Sequence, residues 1–278
     1  MAIDLVTKFL TYVDEMFSTE SKKSLVTNND FEWTGAKSVK VYRITTADMN
    51  DYDREGTDTA NWSRYGAVQG LDAVTDEYTL TKDRSFTFAI DHLDADETQQ
   101  ALQGGTALAR QQREVVIPEI DAYVFGVMCD EAGHKPTEVE LTASNIYDEI
   151  IKATKALDDA EVPDTNRFLI VTTDIMILLK KCPDVVLNGD IGADLRLRGV
   201  VGILDGLTVV KVPSNRLPAD FGFMVAHPCA TVAPVKLETY TIHNNPPGIN
   251  GDLVEGRIVY DAMVMTNKTK AIYYQAIE

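Results

Sequence analysis

The sequence predicts an α+β chain, and three observations carry that prediction. Two stretches, Ser38–Thr45 and Glu77–Asp91, are rich in β-branched and aromatic residues, the second with strict period-two alternation. A long run, Ala95–Asp130, instead spaces its apolar residues at helical intervals. Between about residues 140 and 237, helical and strand patterns then alternate.

Taken in order, the chain opens with Ile3, Val6, Leu10, Val13 and Phe17 at helical spacing, followed by the polar stretch Ser18–Asp30. A short helix and a flexible tail are expected there. In Glu77–Asp91 the residues Tyr78, Leu80, Lys82, Arg84, Phe86, Phe88 and Ile90 share one face. With Ser38–Thr45 this run is expected to form the two legs of a hairpin. The intervening Thr46–Asp76 has no sustained period and far exceeds the two to five residues of ordinary hairpin loops, a length that points to function or disorder. A single strand over 77–91 would run ~46 Å, against a radius of gyration near ~19 Å for a compact chain of this size. The hairpin is therefore expected to project from the body, with Lys82 and Arg84 interrupting its apolar face where it leaves the core.

The helical run places Leu102, Ala109, Val116, Ile120, Val124 and Val127 on one stripe, with Asp94 as the expected N-cap. Gly104 and Gly105 weaken a helix interior, and Pro118 removes a donor and should kink it. A helix from about Ser144 to Asp159, a buried strand Phe168–Thr172 and a short helix Asp174–Lys181 are expected next. Strands follow at Leu207–Val212, Phe221–Ala226, Glu238–His243, Glu255–Met265 and Lys270–Ile277, the last two joined by Thr266-Asn267-Lys268-Thr269. These suggest a compact α/β lobe over 140–237, flanked by an elongated lobe of long helix and terminal strands.

Composition narrows function. Lys and Arg number 26 against 43 Asp and Glu, a net charge of −17, which argues against general affinity for nucleic-acid phosphates. No apolar run is long enough to cross a membrane, and MAIDLVTKFL lacks a signal peptide's basic start, so a cytosol-like compartment is expected. Cys129, Cys182 and Cys229 fit neither a disulfide framework nor a zinc site and read as buried thiols. The glycines of 198–206 match no phosphate-binding motif and read as turns. No serine-hydrolase elbow or zinc-protease helix occurs, and His227-Pro228-Cys229 supplies only half a zinc site. Asp51-Tyr52-Asp53-Arg54-Glu55-Gly56 matches the opening of a calcium loop, but Trp62 stands where the bidentate Glu belongs. A solvated acidic loop tip explains the same residues. Asn61-Trp62-Ser63 and Asn267-Lys268-Thr269 match the glycosylation pattern, but without a secretion signal they should not meet that machinery. No catalytic, cofactor or metal residue is assigned.

The order of parts resembles a tailed-bacteriophage major capsid protein of the Hong Kong 97-like fold. The passage from Asp83-Arg84-Ser85-Phe86-Thr87-Phe88 through Asp91 into Ala109-Arg110-Gln111-Gln112-Arg113-Glu114-Val115-Val116-Ile117-Pro118 is similar to that family's hairpin-to-spine-helix passage. Leu197–Val210 is similar to its glycine-punctuated turn and strand. The resemblance implies an N-terminal arm at 1–36, an extended hairpin loop at 37–93 and a peripheral domain with the spine helix at 94–139. An axial domain at 140–237 and a return to the peripheral domain at 238–278 complete it.

It further implies a structural subunit, not an enzyme, that forms homo-oligomeric pentamers and hexamers. These would close as an icosahedral head in the host cytoplasm, around double-stranded DNA held without sequence-specific binding, with a portal protein and no membrane. Because the hairpin starts by residue 37, a separate scaffolding protein is expected. Thr46–Asp76 contains no lysine, so isopeptide welding through that loop is not expected. The candidate inter-subunit contacts are Asp51, Tyr52, Asp53, Glu55, Trp62, Arg64, Tyr65, Lys82 and Arg84, with Asp48 and Asp58 adding to the acidic face. An encapsulin-like compartment shell, or a small α/β hydrolase or calcium-binding module, are the alternative readings.

Overall fold

The computed structural model describes residues 21–28, 38–44, 46–56, 62–70, 72–97, 104–182 and 202–277. The amphipathic segment expected at 3–17 lies outside them. The chain divides into two compact units, Trp33–Leu80, and Met1–Glu32 together with Thr81–Glu278.

In the smaller unit β1 (Ser38–Ile44) pairs antiparallel with β2 (Ala73–Thr79), from Ser38↔Thr79 to Ile44↔Ala73. The expected hairpin partner is thus correct, but the expected single strand over 77–91 is not. It breaks at Leu80-Thr81, and its second half, β3 (Lys82–Asp91), belongs to the larger unit. The cause is a buried carboxylate. Asp261 Oδ2 accepts from the backbone N–H of Thr81 at 2.7 Å and from its hydroxyl at 2.9 Å, which ends one strand's path and begins the other's. At ~3.3 Å per residue the two pieces run about 23 and 33 Å. The length argument for projection therefore fails.

Alternation within β3 holds. Phe86, Phe88 and Ile90 turn inward while Ser85, Thr87 and Ala89 are exposed. Its partner is β10 (Gly251–Tyr260), which pairs on its other side with β9 (Val235–Asn244). On β10 Val254, Gly256 and Ile258 are buried and Glu255 and Arg257 exposed, so this sheet has one covered face. Gly256 is required by close approach. A Cβ there would come within 2.4 Å of the Phe86 ring and 2.9 Å of the Tyr240 ring, which stack across the central strand with centroids 6.0 Å apart.

Asp91, not the expected Asp94, caps the following helix, accepting from the Leu93 N–H at 2.8 Å; Asp94 lies inside α2 (His92–Glu97). The long helix runs from α3 (Gly104–Gln111) through a π-helical turn, Gln112–Val116, into α4 (Ile117–Asp130). In that turn the Ile117 N–H reaches back five residues to the Gln112 carbonyl. The wider turn precedes Pro118, which can neither donate nor tolerate a tight preceding turn. Gly104 starts the described helix and packs close to Ile242 of β9.

The α/β region is built as expected, from α5 (Ile146–Asp159), β4 (Phe168–Val171) and α6 (Thr173–Lys181). Strands β5 (Ile203–Leu204), β6 (Leu207–Lys211) and β7 (Phe221–Ala226) follow. Asp205 and Gly206 both have positive φ and close a two-residue hairpin turn, the turn role expected of those glycines. After the short β8 (Thr231–Val232) and β11 (Met263–Val264), which pair with each other, the link Thr266–Ala271 leads into β12 (Ile272–Ala276). That strand was expected in the elongated lobe of long helix and terminal strands; it pairs with β7 and completes a five-stranded sheet of order β12-β7-β4-β6-β5.

Both faces of this sheet are covered, which explains its continuous apolar strands. Leu169, Val171, Phe223 and Val225 share a core with α5 and α6, while Ile170, Met224 and Ile272 share one with Val124, Phe125 and Met128 of α4. Residues 21–28, expected as flexible tail, dock on the body: Val26 is fully buried and Asn28 bridges to Val232. α1 (Lys23–Val26) forms the centre of that segment.

Candidate functional site

The loop between β1 and β2 carries most of the candidate contacts, and local hydrogen bonds shape it. Asp53 Oδ1 accepts from the N–H groups of Glu55 at 3.1 Å and Gly56 at 2.8 Å, an Asx-type turn with Gly56 at positive φ. Across the loop the Asp53 N–H donates to the Arg64 carbonyl at 2.9 Å, and Ser63 closes a second turn through Gly66. These two turns bring Tyr52 and Tyr65 edge to face, with centroids 5.0 Å apart.

The described parts of the loop, 46–56 and 62–70, are held by these backbone hydrogen bonds yet present apolar side chains to solvent. Trp62 is 90% exposed, Tyr65 77% and Tyr52 53%. Met49 at 99% and Val68 at 70% join them. Sequence reading passed over these two, although an apolar side chain in a polar loop was the available signal. Asp51, Glu55 and Arg64 are exposed around the aromatic group and Asp53 is half-buried. Asp58 lies outside the described residues. The calcium reading gains no support, since among the described residues no group of three or more metal-ligating side chains comes together. His227 Nδ1 accepts from the Cys229 N–H at 3.1 Å, and burial lowers the imidazole's pKa.

Lys82 and Arg84 sit in the larger unit, away in sequence from the loop tip, and both engage α4. The Lys82 ammonium lies 4.8 Å from the centre of the Tyr123 ring. Arg84 Nε donates to Glu119 Oε1 at 2.7 Å, which holds the guanidinium pKa above its usual value. Tyr260 O–H donates to the same carboxylate oxygen at 3.3 Å. The structure thus places two of the nine contact candidates in the chain's own packing.

Two networks escaped sequence reading. Asp261 accepts from Thr81, from the Tyr123 hydroxyl at 2.7 Å and from the Ala262 N–H at 2.8 Å. Burial and this hydrogen bond push the Tyr123 pKa up to about 12. Asp121, fully buried, pairs with Arg216 at 2.9 Å and accepts from Ser21 Oγ and the Lys22 N–H. In both networks each carboxylate oxygen accepts from donors of the chain's own backbone or side chains.

No family model and no curated protein matches the sequence. Solved structures do. A structure from Mycobacterium phage Che8 superposes with a TM-score of 0.77, covering 99% of this chain and 96% of that one at 18% identity. The capsid structure of the cyanophage P-SCSP1u gives 0.72 at 12% identity, covering 99% and 93%. The mature capsid of bacteriophage PhiM1 gives 0.72 at 12% identity, covering 98% and 91%. The fold is a phage-capsid fold. The resemblance drawn from the order of parts is borne out at that level, over nearly the full length of the capsid chains.

Proposed function

We propose that this chain is the major capsid protein of a tailed phage, a structural subunit without catalytic role. It assembles as pentamers and hexamers into an icosahedral head that encloses double-stranded DNA. The observation that carries this reading is the end-to-end likeness to the P-SCSP1u and PhiM1 capsid chains. Its net charge of −17 suits a container that must release its DNA, since tight phosphate binding would oppose ejection. A separate scaffolding protein and a portal complete the head, which is assembled in the host cytoplasm. Residues 1–36 serve as the arm and 37–80 as the extended loop, while 81–139 and 238–271 make the peripheral domain and 140–237 with β12 the axial domain.

In this reading the loop of one subunit lies over a neighbour. Burying Tyr52, Trp62 and Tyr65 there stabilises the lattice at about 25 cal/mol per Å2 of apolar surface removed from water. Each contact can be weak because a closed shell multiplies it. Asp51, Asp53 and Glu55 with Arg64 set register through charge more than they add affinity.

The test is negative-stain microscopy of the chain expressed with its neighbouring genes. Closed shells or capsomer rings are expected, and a strictly monomeric product would overturn the proposal. Deleting Thr46–Asp76 is expected to leave a folded larger unit that forms no shells. Normal shells from that variant would remove the loop from the mechanism.

A further inference from the structure

Residues 21–28 are held to the body at both ends. At the first, Ser21 Oγ and the Lys22 N–H donate to Asp121. At the second, the Asn28 N–H donates to the Thr231 carbonyl at 2.9 Å, and Asn28 Nδ2 donates to the Cys229 carbonyl at 3.2 Å. The second attachment thus lands on one short turn, Pro228–Ala230, and on the residue that follows it.

That turn is set by His227. Its Nδ1 accepts from the Cys229 N–H at 3.1 Å, while its backbone carbonyl accepts from the Ala230 N–H at 3.2 Å. An accepting Nδ1 leaves the ring proton on Nε2, and the half-buried ring makes a further hydrogen bond to the Thr165 backbone. The charged groups facing it are Arg167, itself paired with Asp158 of α5 at 2.7 Å, and Lys268 of the link into β12.

We propose that His227 is an acid-sensitive latch: neutral, it fixes the turn that grips Asn28, and doubly protonated, it opens that turn and lets go of the second end of residues 21–28. A neutral imidazole has one acceptor nitrogen and an imidazolium has none. Protonation of Nδ1 sets one N–H against the Cys229 N–H, so the ring or the turn must rotate. The Cys229 carbonyl lies in the same turn, and its displacement takes the Asn28 side-chain bond with it.

The surroundings oppose the charged ring. Burial first, then Arg167 and Lys268, hold the docked imidazole below its ordinary value, against an opposing pull from the Thr165 bond. The released form therefore binds the proton more tightly than the docked one. Docking is complete above about pH 6.5 and is lost as pH falls through the lower folded value. The Asp121 contacts do not involve the ring, so the device is local, and it is independent of any assembly into a shell.

Hydrogen exchange on the full-length protein tests this, with rates at residues 22–28 corrected for intrinsic chemistry and compared with those of β7 at each pH. Between about pH 7.5 and about pH 5, either side of the ordinary imidazole value, protection of this segment is expected to fall about tenfold relative to β7, the factor that one unit of preferential protonation supplies. His227→Asn keeps a side-chain oxygen for the Cys229 N–H but does not titrate. It is expected to retain the neutral-pH protection and to lose the pH dependence. A wild-type segment whose protection ignores pH, or an equal loss in His227→Asn, overturns the latch. Should that variant fail to fold, reciprocity decides. Asn28→Ala weakens the docking, so its His227 ring, followed by NMR, is expected to titrate closer to 6.5 than in the unmodified protein. An unmoved titration overturns the proposal.

Discussion

A carboxylate taken out of water needs donors, and Asp261 is supplied by Thr81 through two groups, by Tyr123 and by Ala262. Thr81→Val keeps the backbone bond and removes the hydroxyl. It is expected to cost about 1.5–3 kcal/mol in urea unfolding, the range for a hydrogen bond to a charged group. Asp121→Ala removes the buried carboxylate that pairs with Arg216, itself 2% exposed. A loss of about 3–5 kcal/mol is expected in the same measurement. Tyr123 and Tyr260 both titrate in the folded protein near 12 against an ordinary 10, raised mainly by burial. The folded state therefore holds these protons more tightly than the unfolded chain does. Their contribution to stability is complete below pH 10 and is lost as pH climbs from 10 to 12. Alkaline unfolding followed by tyrosinate absorbance should show this limb, and Tyr123→Phe should flatten it.

At the level of elements, the three-stranded sheet depends on the absence of a side chain at Gly256. Gly256→Ala forces Phe86 or Tyr240 aside and is expected to cost about 1–3 kcal/mol. Combined with Phe86→Ala the penalty should fall short of the sum, because the clash partner is gone. The same sheet shows what the sequence could and could not disclose. Strands Phe168–Val171 and Phe221–Ala226 were legible almost to the residue, since burial on both faces leaves an unbroken apolar run. The division at Leu80-Thr81 was invisible. Inward positions stay even-numbered from Asp76 through Tyr78, Leu80 and Lys82 to Ile90, so a change of partner strand leaves the period intact. β12 was misplaced for a related reason: alternation reports which face is buried, never which of several sheets receives the edge. At the loop tip, the aromatic and acidic residues were readable as exposed candidates. The engagement of Lys82 and Arg84 with α4 depends on a helix that period-two reasoning does not see.

For the whole molecule, charge and connectivity set the behaviour. A chain of net charge −17 repels its copies, and the proposed shell would have to overcome that repulsion with local complementarity. Replacing Asp51→Asn together with Glu55→Gln leaves the Asp53 turn intact. It is expected to flatten the dependence of assembly on ionic strength, read by light scattering across a salt series. An undiminished salt response would locate the relevant charges elsewhere.

The pairing of β3 with β10 joins residues about 170 positions apart, as the Asp83–Arg257 contact marks. On a ribosome this has a temporal meaning. The first partner emerges early in translation and waits, with Phe86 and Phe88 uncovered, until the second is synthesised. The five-stranded sheet likewise stays open at β7 until residues 272–276 arrive. A nascent or prematurely terminated chain therefore lacks the finished body on which any lattice contact could be made. Completeness of the body is thereby tied to the order of synthesis.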